Sequence, residues 1–185
     1  MLNRIHIYPN FLSKEEHRTL LQFSVDNPQV YGETREDDFW AGRTYEPIQL
    51  GNEVQTISKR YVNKVRELIS QVHGAKVYCD LLCYSKWWDG YEQQPHADGE
   101  REGGEHEFSW RKYGCVYYLN DDYEGGEIYF PNFNIEKKVE PNTMIFFPGD
   151  LLHLHGVRNV SKGVRHTMAS FWTDDKSKEH EFYRT

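Results

Sequence analysis

The centre of the chain alternates strand-forming residues with turn residues: Tyr113-Gly114-Cys115-Val116-Tyr117-Tyr118-Leu119-Asn120, then Asp121-Asp122-Tyr123-Glu124-Gly125-Gly126, then Glu127-Ile128-Tyr129-Phe130-Pro131. The first run is rich in Tyr and Val, which favour strands. The paired glycines mark one turn, and Pro131 with Asn132 marks the next. This stretch therefore predicts two short strands joined by a tight connection.

The same pattern extends to both sides of this stretch. Further turn residues occur at Pro141-Asn142 and Pro148-Gly149. Strands are predicted over residues 77–84, 113–120, 126–130, 134–139, 143–147, 151–157 and 164–173. Many short strands after a helical start indicate a mainly β (α+β) fold, a double-stranded β-helix (jelly-roll) barrel braced by N-terminal helices.

The first part of the chain predicts a short strand and then a turn over residues 5–12, followed by two helices. Ser13 as N-cap and Glu16 at the third helical position form a capping box, and the helix is expected to reach Asp26, before Asn27-Pro28. Apolar residues at three- and four-residue spacing predict a second helix over residues 53–73, ended by Gly74. We expect one domain over residues 1–185, with helical support in 1–75 and the jelly-roll core in 76–175.

Composition limits the class of protein. The chain has 185 residues, of which 38% are hydrophobic, and its apolar runs are too short to span a membrane. The N-terminus lacks the apolar run of a secretory signal, and three cysteines cannot all pair, so we expect buried thiols in a cytoplasmic protein. A net charge of -7 argues against a nucleic-acid partner and leaves room for a neutral or basic peptide.

His96, Asp98 and His155 are the candidate metal ligands. His96 and Asp98 are two residues apart on an extended segment, so their side chains point to the same face. An isolated His-x-Asp pair is usually two ordinary polar residues on the surface. A distant His completes two imidazoles and one carboxylate, the facial triad of non-haem Fe(II) proteins, and this donor set suits Fe(II), Mn(II) or Co(II). His153 is the rival third ligand, and its other possible roles are to support a ligand or to contact a substrate.

Arg165 follows His155 by ten residues and offers a fixed cation for the far carboxylate of a bound dicarboxylic acid. Side chains along a strand alternate between its two faces, so Arg165 shares one face with Thr167, Ala169 and Phe171. Trp172 points the other way.

Several motifs resemble the prolyl 4-hydroxylases and their 2-oxoglutarate oxygenase relatives. The similarity covers nearly the whole chain and is more specific for the oxygenase superfamily than for the prolyl hydroxylase branch. The similar segments are Phe11-Leu12-Ser13 with Glu15-Glu16, Tyr84 with Gly90, His96-Ala97-Asp98, the central stretch 117–131, and Leu154-His155-Gly156 with Lys162-Gly163 and Arg165.

This resemblance implies a role for each matching residue. His96, Asp98 and His155 would bind Fe(II), and Arg165 with Tyr118 would bind the C5 carboxylate of 2-oxoglutarate. Thr167 is a further candidate contact, and Tyr84 would reach the other end of the cosubstrate, although the interval from Tyr84 to Gly90 is longer than the family's. The implied cofactors are Fe(II), 2-oxoglutarate and O2, with ascorbate as reductant. An aromatic residue near the site would be Phe171 or Trp172.

The resemblance implies hydroxylation of a C–H bond, on a peptidyl proline, with release of succinate and CO2. A peptide or protein containing proline is then the expected substrate. Two alternatives stay open: a sibling oxygenase acting on a small molecule, another side chain or a nucleic-acid base, and a catalytically silent metal-binding jelly roll. The sequence does not choose between 3- and 4-hydroxylation.

Overall fold

The computed structural model describes residues 5–27, 44–47 and 50–184. Helix α1 spans Lys14–Asp26 and begins with the predicted capping box, in which Ser13 and Glu16 satisfy each other's backbone N–H groups. Helix α2 spans Asn52–His73 and ends at Gly74, which adopts the left-handed conformation that favours glycine. Both predicted helices are confirmed.

The strands of the described residues form three antiparallel sheets. The largest sheet has the strand order β1-β9-β5-β12-β3-β2, the second has β4-β10-β7-β8, and the smallest pairs β11 with β6. The strand bounds are β1 His6–Tyr8, β2 Thr44–Tyr45, β3 Tyr78–Trp87, β4 Gln93–His96, β5 Tyr113–Tyr118, β6 Glu124–Gly125, β7 Ile128–Phe130, β8 Ile135–Lys137, β9 Thr143–Pro148, β10 His155–Val157, β11 Val160–Lys162 and β12 Arg165–Thr173.

The six-stranded sheet is buried on both faces. One face packs against α1 and α2 through a large apolar cluster that includes Leu20, Tyr61 and Trp172. The other face meets the four-stranded sheet through a second cluster that includes Ile145 and Phe130. The helices, the six-stranded sheet and the four-stranded sheet form three successive layers. This order agrees with the predicted mainly β jelly roll braced by helices, and it places an interior between the two sheets.

One predicted strand is only partly correct. Strand β10 begins at His155, whereas Leu151–His153 form a 3-10 turn. The reason is local, because the Asp150 side chain accepts a hydrogen bond from the His153 backbone N–H and caps that turn. The predicted strand over residues 151–157 would place His153 on the same strand face as His155, and the structure does not.

The N-terminal segment contributes to the sheet as well as to the helices, since β1 pairs with β9 and β2 pairs with β3. The three cysteines are buried free thiols, as expected. Within the described ranges, neither helix has the length and apolar character needed to cross a bilayer. The single-domain assignment and its division near residue 76 stay predictions.

Candidate active site

The three predicted metal ligands come together between the six-stranded and the four-stranded sheets. His96 ends β4 and His155 begins β10, and the two residues are direct partners in the register of these strands. Asp98 follows β4 by two residues and is buried. Pairing β4 with β10 is thus what brings residues 59 positions apart to one point.

The ligand atoms lie close enough for one ion. Oδ1 of Asp98 is 3.7 Å from Nε2 of His96 and 3.8 Å from Nε2 of His155. The two imidazole rings are 4.4 Å apart between centroids. One atom of each of the three residues can be chosen so that all lie within 4.8 Å of one another. Two imidazole nitrogens and one carboxylate oxygen in this arrangement form a donor set typical of non-haem Fe(II).

Backbone carbonyl groups fix the orientation of both imidazoles. Nδ1 of His96 lies 3.1 Å from the Gln94 carbonyl oxygen, and Nδ1 of His155 lies 3.2 Å from that of His153. A carbonyl oxygen only accepts, so Nδ1 donates in each ring and Nε2 keeps its lone pair. Burial lowers the pKa of His155 to about 4, against the opposing effect of Asp98. His155 is therefore neutral at pH 7, as a metal ligand must be.

Asp98 shows that the site suits a cation. Its Oδ2 is buried and has no hydrogen-bond partner among the described residues. A buried carboxylate that is not fully paired is costly, and a cation bound at Oδ1 compensates its charge. Gly114 of β5 makes room for this carboxylate, since a Cβ at residue 114 would lie 1.9 Å from Oδ2 of Asp98. Sequence reasoning missed Gly114, although a glycine inside a strand often marks such a close approach.

Arg165 is a buried cation on the wall of the same pocket. It is 1% exposed, and its Nη2 donates to the Tyr118 hydroxyl over 3.3 Å. The described residues contain no carboxylate in a salt bridge with Arg165, and its Nε has no partner among them. A guanidinium held this way favours a carboxylate ligand. Thr167 lines the same pocket, as its spacing from Arg165 predicts.

The predicted contact of Tyr84 with a cosubstrate is not supported. Tyr84 lies in the apolar cluster between the large sheet and the helices, where its hydroxyl is 3.1 Å from Oγ of Ser58 on α2. The next residue, Ser85, lines the pocket instead. Side chains alternate along a strand, so only one of these two neighbours can face the site.

Other residues separate into pocket and core positions. Phe171 and Trp87 line the pocket, whereas Trp172 belongs to the cluster on the helix side of the sheet. Of the two aromatic candidates on the final strand, Phe171 is therefore the one in the pocket. His153 is 3% exposed and its Nδ1 lies 2.6 Å from Oδ1 of Asp150, so its contribution to the site is the carbonyl oxygen that orients His155.

These features define a jelly roll with a candidate metal site of two histidines and one carboxylate, and with a buried arginine in the adjoining pocket. A family model, the 2OG-Fe(II) oxygenase superfamily, matches residues 79–174. The chain belongs to this superfamily, whose members use Fe(II), 2-oxoglutarate and O2, typically with ascorbate as reductant. The matched range contains the three candidate ligands and Arg165.

Individual relatives lie in the prolyl hydroxylase branch. Prolyl 3-hydroxylase 2 of Homo sapiens is 34% identical over 73 residues, which cover 37% of this chain and 10% of that protein. The viral collagen prolyl hydroxylase of Paramecium Bursaria Chlorella virus-1 has a TM-score of 0.67 at 16% identity, covering 94% of this chain and 97% of that chain. A Trichoplax adhaerens prolyl hydroxylase, solved with a hypoxia inducible factor peptide fragment, has a TM-score of 0.62 at 18% identity, covering 95% and 86%. The structural similarities establish the fold.

Proposed function

We propose that the chain is an Fe(II)- and 2-oxoglutarate-dependent dioxygenase that hydroxylates a peptidyl proline and releases succinate and CO2. The observation that carries this proposal is that one pocket holds two buried, opposite charges, each of which lacks a partner that satisfies it. Asp98 presents a buried carboxylate whose Oδ1 faces the Nε2 atoms of the two histidines, and Arg165 presents a buried guanidinium without an acidic partner among the described residues. A metal ion complements the first charge and a dicarboxylate complements the second.

The three ligands have a defined role in this proposal. His96, Asp98 and His155 would hold Fe(II) on one side and leave its other coordination positions open. The iron, with 2-oxoglutarate and O2, supplies the oxidising chemistry that a protein side chain cannot provide. The neutral state of His155 allows binding without the loss of a proton at pH 7.

Arg165 and Tyr118 would orient the cosubstrate. Burial raises the pKa of the Tyr118 phenol, with Arg165 opposing this, so the group remains a neutral hydroxyl at pH 7. It can then donate to the carboxylate that Arg165 binds. Trp87 stacks over the Arg165 guanidinium, 5.3 Å from ring centroid to Cζ, and shields the ion pair from water. Such fixed donors hold the cosubstrate in one orientation.

A peptide substrate agrees with the exposure of the site. The His96 side chain is 34% exposed while Asp98 and His155 are buried, so the metal position opens to solvent on the side of His96. The net charge of -7 suits a neutral or basic peptide. Proline is the proposed target because the curated relatives are prolyl 3-hydroxylases and two similar folds belong to prolyl hydroxylases.

The test measures succinate release with Fe(II), 2-oxoglutarate and ascorbate in the presence of a Pro-rich peptide. The control peptide carries Ala in place of every Pro, and the control protein is Asp98→Ala. We expect succinate release to rise with the Pro-rich peptide alone, together with a gain of one oxygen atom in the mass of that peptide. Equal turnover with both peptides would reject proline as the substrate and leave a sibling oxygenase.

A further inference from the structure

Ser85 is a buried polar residue in the pocket that no role described so far explains. It is 2% exposed and lines the pocket with Arg165 and Thr167. Its Oγ has no hydrogen-bond partner among the described residues, a property it shares with Oδ2 of Asp98 and Nε of Arg165. A metal ion bound at Oδ1 compensates the charge of the Asp98 carboxylate, and a ligand carboxylate accounts for the Arg165 nitrogen, but neither assignment includes Ser85.

The sheet register places Ser85 in a row of hydroxyl groups. Thr167 of β12 pairs directly with Ser85 of β3 on one side and with Tyr118 of β5 on the other. Directly paired residues of antiparallel strands point to the same face. We call Tyr118, Thr167 and Ser85 the hydroxyl row. Arg165 lies two residues from Thr167 on the same face of β12, so the row runs beside the guanidinium.

The Ser85 hydroxyl has no hydrogen-bond partner among the described residues, although Ser85 pairs directly with Thr167 of β12 on one side and with Thr44 of β2 on the other. Cys83 lies two residues earlier on β3, and its contact with Ser85 opposes the burial that raises the pKa of this thiol to about 11. Sulfur is a weak hydrogen-bond partner, so the Ser85 hydroxyl remains available to a stronger acceptor. A carboxylate oxygen is such an acceptor.

We infer that Ser85 is a further binding residue for the far carboxylate of 2-oxoglutarate, to which its hydroxyl donates from the end of the hydroxyl row beside Arg165. This inference rests on the proposed function and deepens it. It also gives a role to the residue of β3 that carries a polar group into the pocket, which is Ser85 and not its neighbour Tyr84. With Tyr118 and Arg165, Ser85 would bind the carboxylate from three adjacent strands.

The test is an anaerobic titration of the Fe(II) protein with each of two ligands in turn. The visible charge-transfer absorption of the chelate measures binding. One ligand is 2-oxoglutarate, and the other is 2-oxopentanoate, which has the same chain length but lacks the far carboxylate. A hydrogen bond to a charged group predicts that Ser85→Ala binds 2-oxoglutarate about tenfold more weakly. The affinity for 2-oxopentanoate should stay within about twofold, because that ligand has no group for Ser85 to contact.

Ser170→Ala is the matched control. Ser170 is also buried on β12, but it faces the helix side, where its Oγ accepts a hydrogen bond from Nε1 of Trp172. This variant should keep wild-type affinity for both ligands. Its melting temperature should fall more than that of Ser85→Ala, because Ser170 loses the hydrogen bond from Trp172, whereas Ser85 loses only its weak contact with the Cys83 sulfur.

Two results would overturn the role of Ser85 while keeping the proposed function: unchanged 2-oxoglutarate affinity in Ser85→Ala, or equal weakening of both ligands. Equal weakening would mean that Ser85 maintains the shape of the pocket. Failure of the wild-type protein to give the absorption band with 2-oxoglutarate would instead overturn the proposed function, and the Ser85 inference with it.

Discussion

Gly114→Ala is expected to weaken metal binding strongly without unfolding the protein. The added Cβ would lie 1.9 Å from Oδ2 of Asp98 and 3.0 Å from Cε2 of Phe147. Restoring an ordinary contact of 3.4 Å requires the carboxylate to move by about 1.5 Å. Metal–ligand distances tolerate shifts of only about 0.2 Å, so we expect the affinity for Fe(II) to fall by at least about 100-fold.

The assay for this variant is an anaerobic titration with Fe(II), with circular dichroism to establish that the sheet is intact. Gly104→Ala is the matched control, because a Cβ at Gly104 would meet nothing within 4 Å and its backbone is not in the left-handed region. We expect Gly104→Ala to bind iron like the wild type. A folded Gly114→Ala protein with affinity within about twofold of the wild type would refute the reasoning, since Asp98 would then not be a ligand in the position observed.

Three further predictions concern the pocket and the histidines. Tyr118→Phe should weaken 2-oxoglutarate binding about tenfold, whereas Tyr84→Phe should leave it unchanged, as measured by titration of the Fe(II) protein. His155→Ala should remove iron binding, whereas His153→Ala should only weaken it, because the carbonyl group that orients His155 remains. Burial lowers the pKa of His166 from 6.5 to about 4, so the folded state takes up a proton less readily than the unfolded state. Stability should therefore be lost as pH falls from about 6.5 towards 4, and the wild type should lose about 2 kcal/mol more than His166→Gln between pH 7 and pH 5 in urea unfolding.

Each of these predictions has a clear contrary result. Weaker 2-oxoglutarate binding in Tyr84→Phe would return Tyr84 to the site. Iron binding that survives in His155→Ala but not in His153→Ala would exchange the two assignments. Equal acid sensitivity of the wild type and His166→Gln would show that the His166 ring, whose Nδ1 lies 2.8 Å from Oγ of Ser24, does not titrate as described.

The helices and the grouping of His96, Asp98 and His155 could be predicted from the sequence because their signals are local or chemically restrictive. Ser13 and Glu16 form a capping box whatever the rest of the chain does, and Gly74 ends a helix by its backbone alone. His96 and Asp98 share a face through simple alternation. The interval from His155 to Arg165 predicted a cation near the ligands, and the structure places Arg165 in the same pocket.

The orientation of β3 could not be predicted, because this strand is buried on both faces. Tyr84 and Ser85 are both nearly inaccessible, so polarity does not alternate along the strand and gives no sign of which residue faces the pocket. The pairing with β12, which sets Ser85 beside Thr167, decides this point. The role of Gly114 was hidden for a similar reason, since its meaning depends on a carboxylate 16 positions earlier in the chain.

The measurement that tests the central claim most directly is an anaerobic titration of the apo-protein with Fe(II) and then 2-oxoglutarate, monitored by the visible metal-to-ligand charge-transfer band. We predict that the band appears in the wild type, is absent in Asp98→Ala, and needs much more 2-oxoglutarate in Arg165→Ala, which still binds iron. Wild-type protein that binds iron but gives no band would contradict the account and leave a metal-binding jelly roll without a 2-oxoglutarate site.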